Sequence, residues 1–160
     1  MARRTAASIA LAWLVTIAID FVIFGGVFAG VLEGADHPAV LAPEQLFARI
    51  PAGYGSFLLE VVLLHWLLKA SQRPGITGGL LTGTLAGLVF ASAVALGLWS
   101  FSTVPVTALV LWWLTLLLQF AAAGAVLGAA NTPLWSRART WAIGGVVALI
   151  AAGVVLQNLR

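Results

Sequence analysis

The sequence predicts an all-helical integral membrane bundle of five transmembrane spans, and three observations carry that prediction. Hydrophobic residues make up 62% of the 160 residues and charged residues only 8%, whereas a soluble domain keeps about a quarter of its residues charged so that water can solvate its surface. The mean hydropathy is correspondingly high, +1.08. The apolar residues gather into five stretches, each near the roughly 20 residues that cross a hydrocarbon core, with most of the charge in the short segments between them. Runs such as Leu58-Leu59-Glu60-Val61-Val62-Leu63-Leu64 do not alternate polar with apolar positions, which argues against the strands of a β-barrel. Helices satisfy their backbone hydrogen bonds within the segment, as hydrocarbon demands.

The first span is read over residues 5–32, the longest of the set, behind the basic pair Arg3 and Arg4. A signal peptide also begins with basic residues and an apolar run, but this run is too long and Asp20 interrupts it, so it is expected to stay as a span. The connection over residues 33–52 carries its own helix signals. Pro43 suits a first turn, Glu44 complements its positive end, and Leu46, Phe47 and Ile50 recur at helical spacing before Pro51. A short amphipathic helix lying at the outer surface and ending at Pro51 is expected there. Glu33, Asp36 and His37 in the same connection offer oxygen and nitrogen ligands, yet neither spacing nor ligand number matches a metal site, and Asp36-His37-Pro38 reads as a turn. No metal is expected.

The second span, residues 53–70, is the shortest, and tilt or partial exit from the bilayer must absorb the difference from the first. The third, residues 76–99, carries the most ordered pattern in the chain: Gly75, Gly79, Gly83 and Gly87 recur every fourth residue, and Ala91 and Ala95 continue the row. Glycine costs a helix stability, so a repeated row points to a backbone approaching closely along that ridge. The approaching helix can belong to the same chain, to a second copy, or to another membrane subunit. Similar small rows occur at Gly26 and Gly30, at Gly124 and Gly128 in the fourth span (residues 105–130), and at Gly144, Ala148 and Ala152 in the fifth (residues 141–156). No stretch outside the spans is long enough for a second domain, so residues 1–160 form one transmembrane domain.

Orientation follows from the basic residues. Arg3, Arg4, Lys69, Arg73, Arg137 and Arg139 share one side of the predicted topology, while Arg49 and Arg160 fall on the other. The positive-inside rule then places the N-terminus in the cytoplasm and the C-terminus outside, in a multi-pass protein expected in a bacterial inner membrane. The pI of 10.7 reflects a few positive anchors in a nearly uncharged chain, and no basic face large enough for nucleic acid remains. Trp66, Trp135 and Trp141 fall near the inner boundary and Trp99 near the outer one, as aromatic belts require. Membrane lipids are the expected surroundings. Cysteine is absent, which excludes disulfides and thiolate chemistry.

Ionisable groups inside spans point to function, because each costs at least about 2.5–3.5 kcal/mol at a helix centre unless paired or hydrated. The candidates are Asp20, Glu60 and His65, with Gln119 as a neutral polar member. Asp20 and Glu60 lie at similar depth, with His65 and Gln119 somewhat deeper, so a single cluster is sterically allowed. Thr16, Ser56 and Thr115 each stand one turn from one of these groups, giving three helices a polar face. No lysine or arginine falls at the depth of either acid. Two acids facing each other would favour a shared proton or a bound cation. The structural alternative is that each is protonated and bonded to a neighbouring helix, holding the bundle in register.

His65 beside Trp66 could ligate a haem or chlorophyll-type pigment, but a bis-histidine haem needs a second intramembrane histidine and none is present. A simple interhelical hydrogen bond serves it equally well, and no other cofactor is expected. There is no nucleophile elbow, H-E-x-x-H, phosphate loop or dinucleotide fingerprint, so nothing marks an enzyme. Two functions from different classes follow. The first is a packing or accessory subunit of a membrane assembly, or a homo-oligomer, joined through the glycine-rich third helix. The second is a small transporter or channel for protons, cations or a small solute using Asp20 and Glu60. An intermolecular contact along Gly79, Gly83 and Gly87 would favour the first; a cavity lined by Asp20, Glu60 and Gln119 would favour the second.

Overall fold

The computed structural model describes residues 2–27 and 43–159, and nearly all of them are helical. Helix α1 spans Ala2–Val22 and runs into a π-helical segment, Ile23–Val27; α2 spans Pro43–Ser71, α3 Gly75–Phe101, α4 Val106–Ala129 and α5 Trp135–Asn158. Five helices are long and apolar enough to cross a membrane, and no strand occurs among the described residues. At about 1.5 Å per residue, even the shortest of these spans, 24 residues, exceeds the roughly 30 Å of a hydrocarbon core.

Local chemistry sets the helix ends. Between α2 and α3 only residues 72–74 intervene, and the chain reverses there by placing Gln72 at φ 53° and Gly75 at φ +79°. The glycine takes that left-handed conformation without steric cost. α3 ends at Ser102, whose extended backbone still donates its N–H to the Leu98 carbonyl at 2.9 Å. Pro105 then opens α4, a position where its missing N–H loses nothing.

The connection before the second span differs from the expectation. Pro51 does not end a separate amphipathic helix; it sits inside α2, which continues from Pro43 to Ser71 without a break. Proline removes one i→i−4 hydrogen bond, but the turns on either side keep theirs, and Pro51 and its neighbours are exposed rather than wedged against another helix. The residues expected to form a surface helix therefore make the first two turns of a longer one. Glu33, Asp36 and His37 lie outside the described residues.

α3 and α4 form the most extensive pairing in the bundle. α1 packs against α4 on one side and α5 on the other, and α2 lies across α1 and α4. The densest core sits where α1, α2 and α4 meet, around Ala12, Val61, Leu64, Phe120, Ala123 and Leu127. α5 docks on α1 through glycines: Gly153 faces the Phe21 ring, and a Cβ on Gly26 would stand 3.3 Å from Leu156 Cβ.

The outside of the bundle is as apolar as its inside. Leu59 and Val89 are 72% exposed and Trp141 is 76% exposed, all well within helices. A water-soluble monomer rarely exposes apolar patches beyond a few hundred Å². A surface of leucine, valine and tryptophan on every helix supports lipid as its solvent and a multi-pass membrane protein as its class.

Candidate functional site

Three of the four predicted polar residues meet. Asp20 on α1, Glu60 on α2 and Gln119 on α4 line one cavity of about 370 Å³. Helical spacing brings their polar neighbours along. Ser56, one turn before Glu60, and Thr115, one turn before Gln119, line the same cavity. Thr16, one turn before Asp20, contributes its backbone carbonyl, which accepts a hydrogen bond from Gln119 Nε2 at 3.1 Å. That bond joins α1 to α4 at a point where Gln119 is only 1% exposed.

The polar accounting is incomplete, and the deficit has one sign. Gln119 Oε1 and Glu60 Oε2 are both buried without a hydrogen-bond partner. Asp20 lines the same cavity and is close enough to Glu60 to interact with it electrostatically. Leaving a buried acceptor unpaired costs about 1–3 kcal/mol, more for a charged group. Ionised carboxylates and amide oxygens only accept, so what the cavity lacks is donors or positive charge. Chemically it can hold a proton between acceptors, a hard cation on oxygen ligands, or an ammonium group. Among the described residues no group of three or more His, Cys, Asp or Glu is placed to hold a metal ion.

The rest of the wall is aromatic. Phe24, Phe57, Phe90 and Trp112 face the cavity, and the Phe24 and Trp112 rings stand 6.4 Å apart at 57°. Phe24 belongs to the π-helical segment Ile23–Val27, and such turns occur often at functional sites. Sequence reasoning did not bring these aromatic residues to the polar group. The available signal was spacing: Phe24 follows Asp20 by four, Phe57 precedes Glu60 by three and Trp112 precedes Gln119 by seven, each on its partner's helix face.

His65 is not part of this group. It lines a separate recess of about 50 Å³ with Lys69, Arg73 and Asn131, room for one or two water molecules at about 30 Å³ each. The glycine row lies elsewhere again. A Cβ on Gly79 would come within 2.9 Å of Gly128 Cα, and one on Gly87 within 2.7 Å of Phe120 Cβ. Gly83 meets the Phe120 carbonyl oxygen, and Gly124 and Gly128 meet the Gly79 and Gly75 carbonyl oxygens, just as closely. The ridge is thus filled by α4 of the same chain, backbone against backbone. Gly75 heads the row and, with Thr132 as its nearest neighbour, has the most space.

These features describe a bundle of five helices, each long and apolar enough to cross a membrane, with an acid-lined cavity beside the C-terminal half of α3. No family model, curated protein or solved structure matches the chain.

Proposed function

We propose that the protein is a small transporter or channel of the bacterial inner membrane, N-terminus cytoplasmic, that handles protons or cations at Asp20, Glu60 and Gln119. The observation that carries this reading is the pair of buried acceptors without partners, Glu60 Oε2 and Gln119 Oε1, in a cavity shared with a second carboxyl group. Residues serving only to hold helices in register would be expected to use their hydrogen-bonding capacity on one another. Six of the eight basic residues would then face the cytoplasm, and the cavity would lie in the outer half of the bilayer.

Reconstitution tests it. Liposomes containing the full chain and a trapped pH dye should show proton movement when a cation gradient is imposed, and Asp20→Asn or Glu60→Gln should abolish it. Flux equal to that of empty liposomes, or flux unchanged in both variants, would refute the reading.

The accessory-subunit reading needs a different surface from the one the sequence suggested, because α4 occupies the α3 ridge. The row Gly144, Ala148 and Ala152 on α5 is exposed, and a Cβ on Gly144 would meet nothing within 4 Å, so a helix from another membrane subunit or a second copy could approach there. Mass spectrometry of the gently extracted complex reads that stoichiometry directly.

A further inference from the structure

Volume and wall chemistry narrow the ligand. A cavity of about 370 Å³ would hold roughly a dozen waters at about 30 Å³ each, so a proton or a bare metal ion would leave it almost empty. Its size falls instead in the range of pockets that enclose small organic molecules. Its polarity is one-sided. Asp20, Glu60 and Gln119 supply acceptors at one place, and Phe24, Phe57, Phe90 and Trp112 supply apolar walls. Gln119 is the independent pointer to a donor: it is 1% exposed, its amide nitrogen is engaged with the Thr16 carbonyl, and its oxygen is left over.

Building on the cation-handling reading above, we infer that the cavity binds a small organic ammonium ion with a flat apolar body. The ammonium sits at the polar part of the wall where Asp20, Glu60 and Gln119 come together, its charge balanced by the carboxylates, and the body packs between the aromatic rings. Ring faces attract a cation where water is excluded, so the walls contribute to recognition of the charge as well as of the body. A hydrated sodium ion gains nothing from those walls. A neutral molecule of the same shape leaves the carboxylates unbalanced.

The test uses the full chain in nanodiscs and isothermal titration calorimetry at pH 7, with phenethylammonium as probe, 2-phenylethanol as its neutral counterpart and sodium chloride as the inorganic cation. Phenethylammonium should bind at least tenfold more tightly than 2-phenylethanol. Asp20→Asn and Glu60→Gln should each weaken it at least tenfold, and Trp112→Leu about fivefold. The neutral counterpart and Trp112→Leu keep the test decisive where an acid variant fails to fold. Equal binding of 2-phenylethanol, or no binding of phenethylammonium alongside acid-dependent binding of sodium or protons, overturns the organic-cation inference and leaves the ion-handling reading standing. Absence of acid-dependent binding by any of the three, with no proton uptake or release, overturns both.

Discussion

Placing a methyl group on the α3 ridge should loosen the bundle in proportion to how far α3 must retreat from α4. A Cβ on Gly83 would stand 3.0 Å from the Phe120 carbonyl carbon and 3.2 Å from Gly124 Cα, with the Phe120 carbonyl oxygen closer still. All three are backbone atoms, so no flexible side chain can turn aside. Restoring ordinary contact separates the helices by up to about 1 Å, and a gap of that size forfeits a quarter to a half of the ~0.1–0.2 kcal/mol held by each atom pair. Over roughly 40 pairs along the contact this amounts to about 1–4 kcal/mol, in line with the 1–3 kcal/mol typical of overpacked sites. Alanine's better helix propensity returns about 1 kcal/mol. Gly83→Ala should therefore destabilise by up to about 3 kcal/mol, with about 1–2 kcal/mol at the middle of that range.

Gly97→Ala provides the control on the same helix. Nothing lies within 4 Å of a Cβ there, so it should be neutral or stabilising by up to about 1 kcal/mol. Unfolding in mixed detergent and dodecyl sulfate micelles, followed by tryptophan fluorescence, measures both variants against the parent. A Gly83→Ala protein as stable as the Gly97→Ala protein would refute the close α3–α4 contact, and with it the argument that the ridge is unavailable to other chains.

Because the chain has no cysteine, the double variant Gly26→Cys with Leu156→Cys gives a clean test of α1–α5 docking: the 3.3 Å between their Cβ positions lies just under the disulfide range, so mild oxidation should form an intramolecular bond visible as a gel shift, and intermolecular dimers alone would contradict the packing. Gln119→Leu removes one interhelical hydrogen bond but also an unpaired oxygen, so stability should change by less than about 1 kcal/mol while phenethylammonium binding falls; a loss of several kcal/mol would make Gln119 a structural strut. Cation binding should weaken as pH falls, because only an ionised carboxyl balances the charge, and a titration of affinity against pH should flatten in Glu60→Gln. A cysteine placed at Ser136 should react with a membrane-impermeant maleimide only from the cytoplasmic side, and labelling from outside would invert the topology.

The number and type of elements were legible because they follow from solvent. Where lipid surrounds a chain, length and hydropathy mark each helix, and the five spans read from sequence coincide in outline with the five helices. The failure at Pro51 came from treating a local hydrogen-bond loss as a stop signal, when a long exposed helix can absorb one missing bond. Depth counting put Asp20, Glu60 and Gln119 within reach of one another, since 1.5 Å per residue converts position directly into height. Depth alone could not exclude His65, but spacing separates it: five residues after Glu60 it points to a different side of the helix, toward Lys69 and Arg73. Nor could a glycine row name its partner. Gly124 and Gly128 carried the complementary pattern, but only the packing shows them interleaved with Gly75, Gly79 and Gly83.

The ridge and the cavity share the α3–α4 pair. From Gly75 to Gly87, α3 presents hydrogen where other residues carry side chains, and α4 lies against it at Phe120, Gly124 and Gly128. One turn further Ala91 and Ala95 continue the small row, and beside it Phe90, Val94 and Leu98 line the cavity together with Trp112, Thr115 and Leu116 of α4. The Phe90 and Phe120 rings stand 5.4 Å apart, Phe90 on the cavity wall and Phe120 in the core. α3 and α4 stay joined beyond the glycines, where Trp113 Nε1 donates to Ser92 Oγ at 3.0 Å, so the cavity lies beside their contact and is completed by Asp20 and Phe24 on one side and Ser56, Phe57 and Glu60 on the other. Any motion that admits or releases a cation then falls to α1 and α2, which meet α3 and α4 through far smaller contacts. Under the proposed cation binding, a ligand drawing on the Gln119 amide would pull on the α1 backbone one turn from Asp20 through the Gln119 to Thr16 hydrogen bond. Thus a probe on α1 should report phenethylammonium binding, and one on α3 near Gly83 should stay silent; the reverse pattern would mean that the glycine contact itself opens.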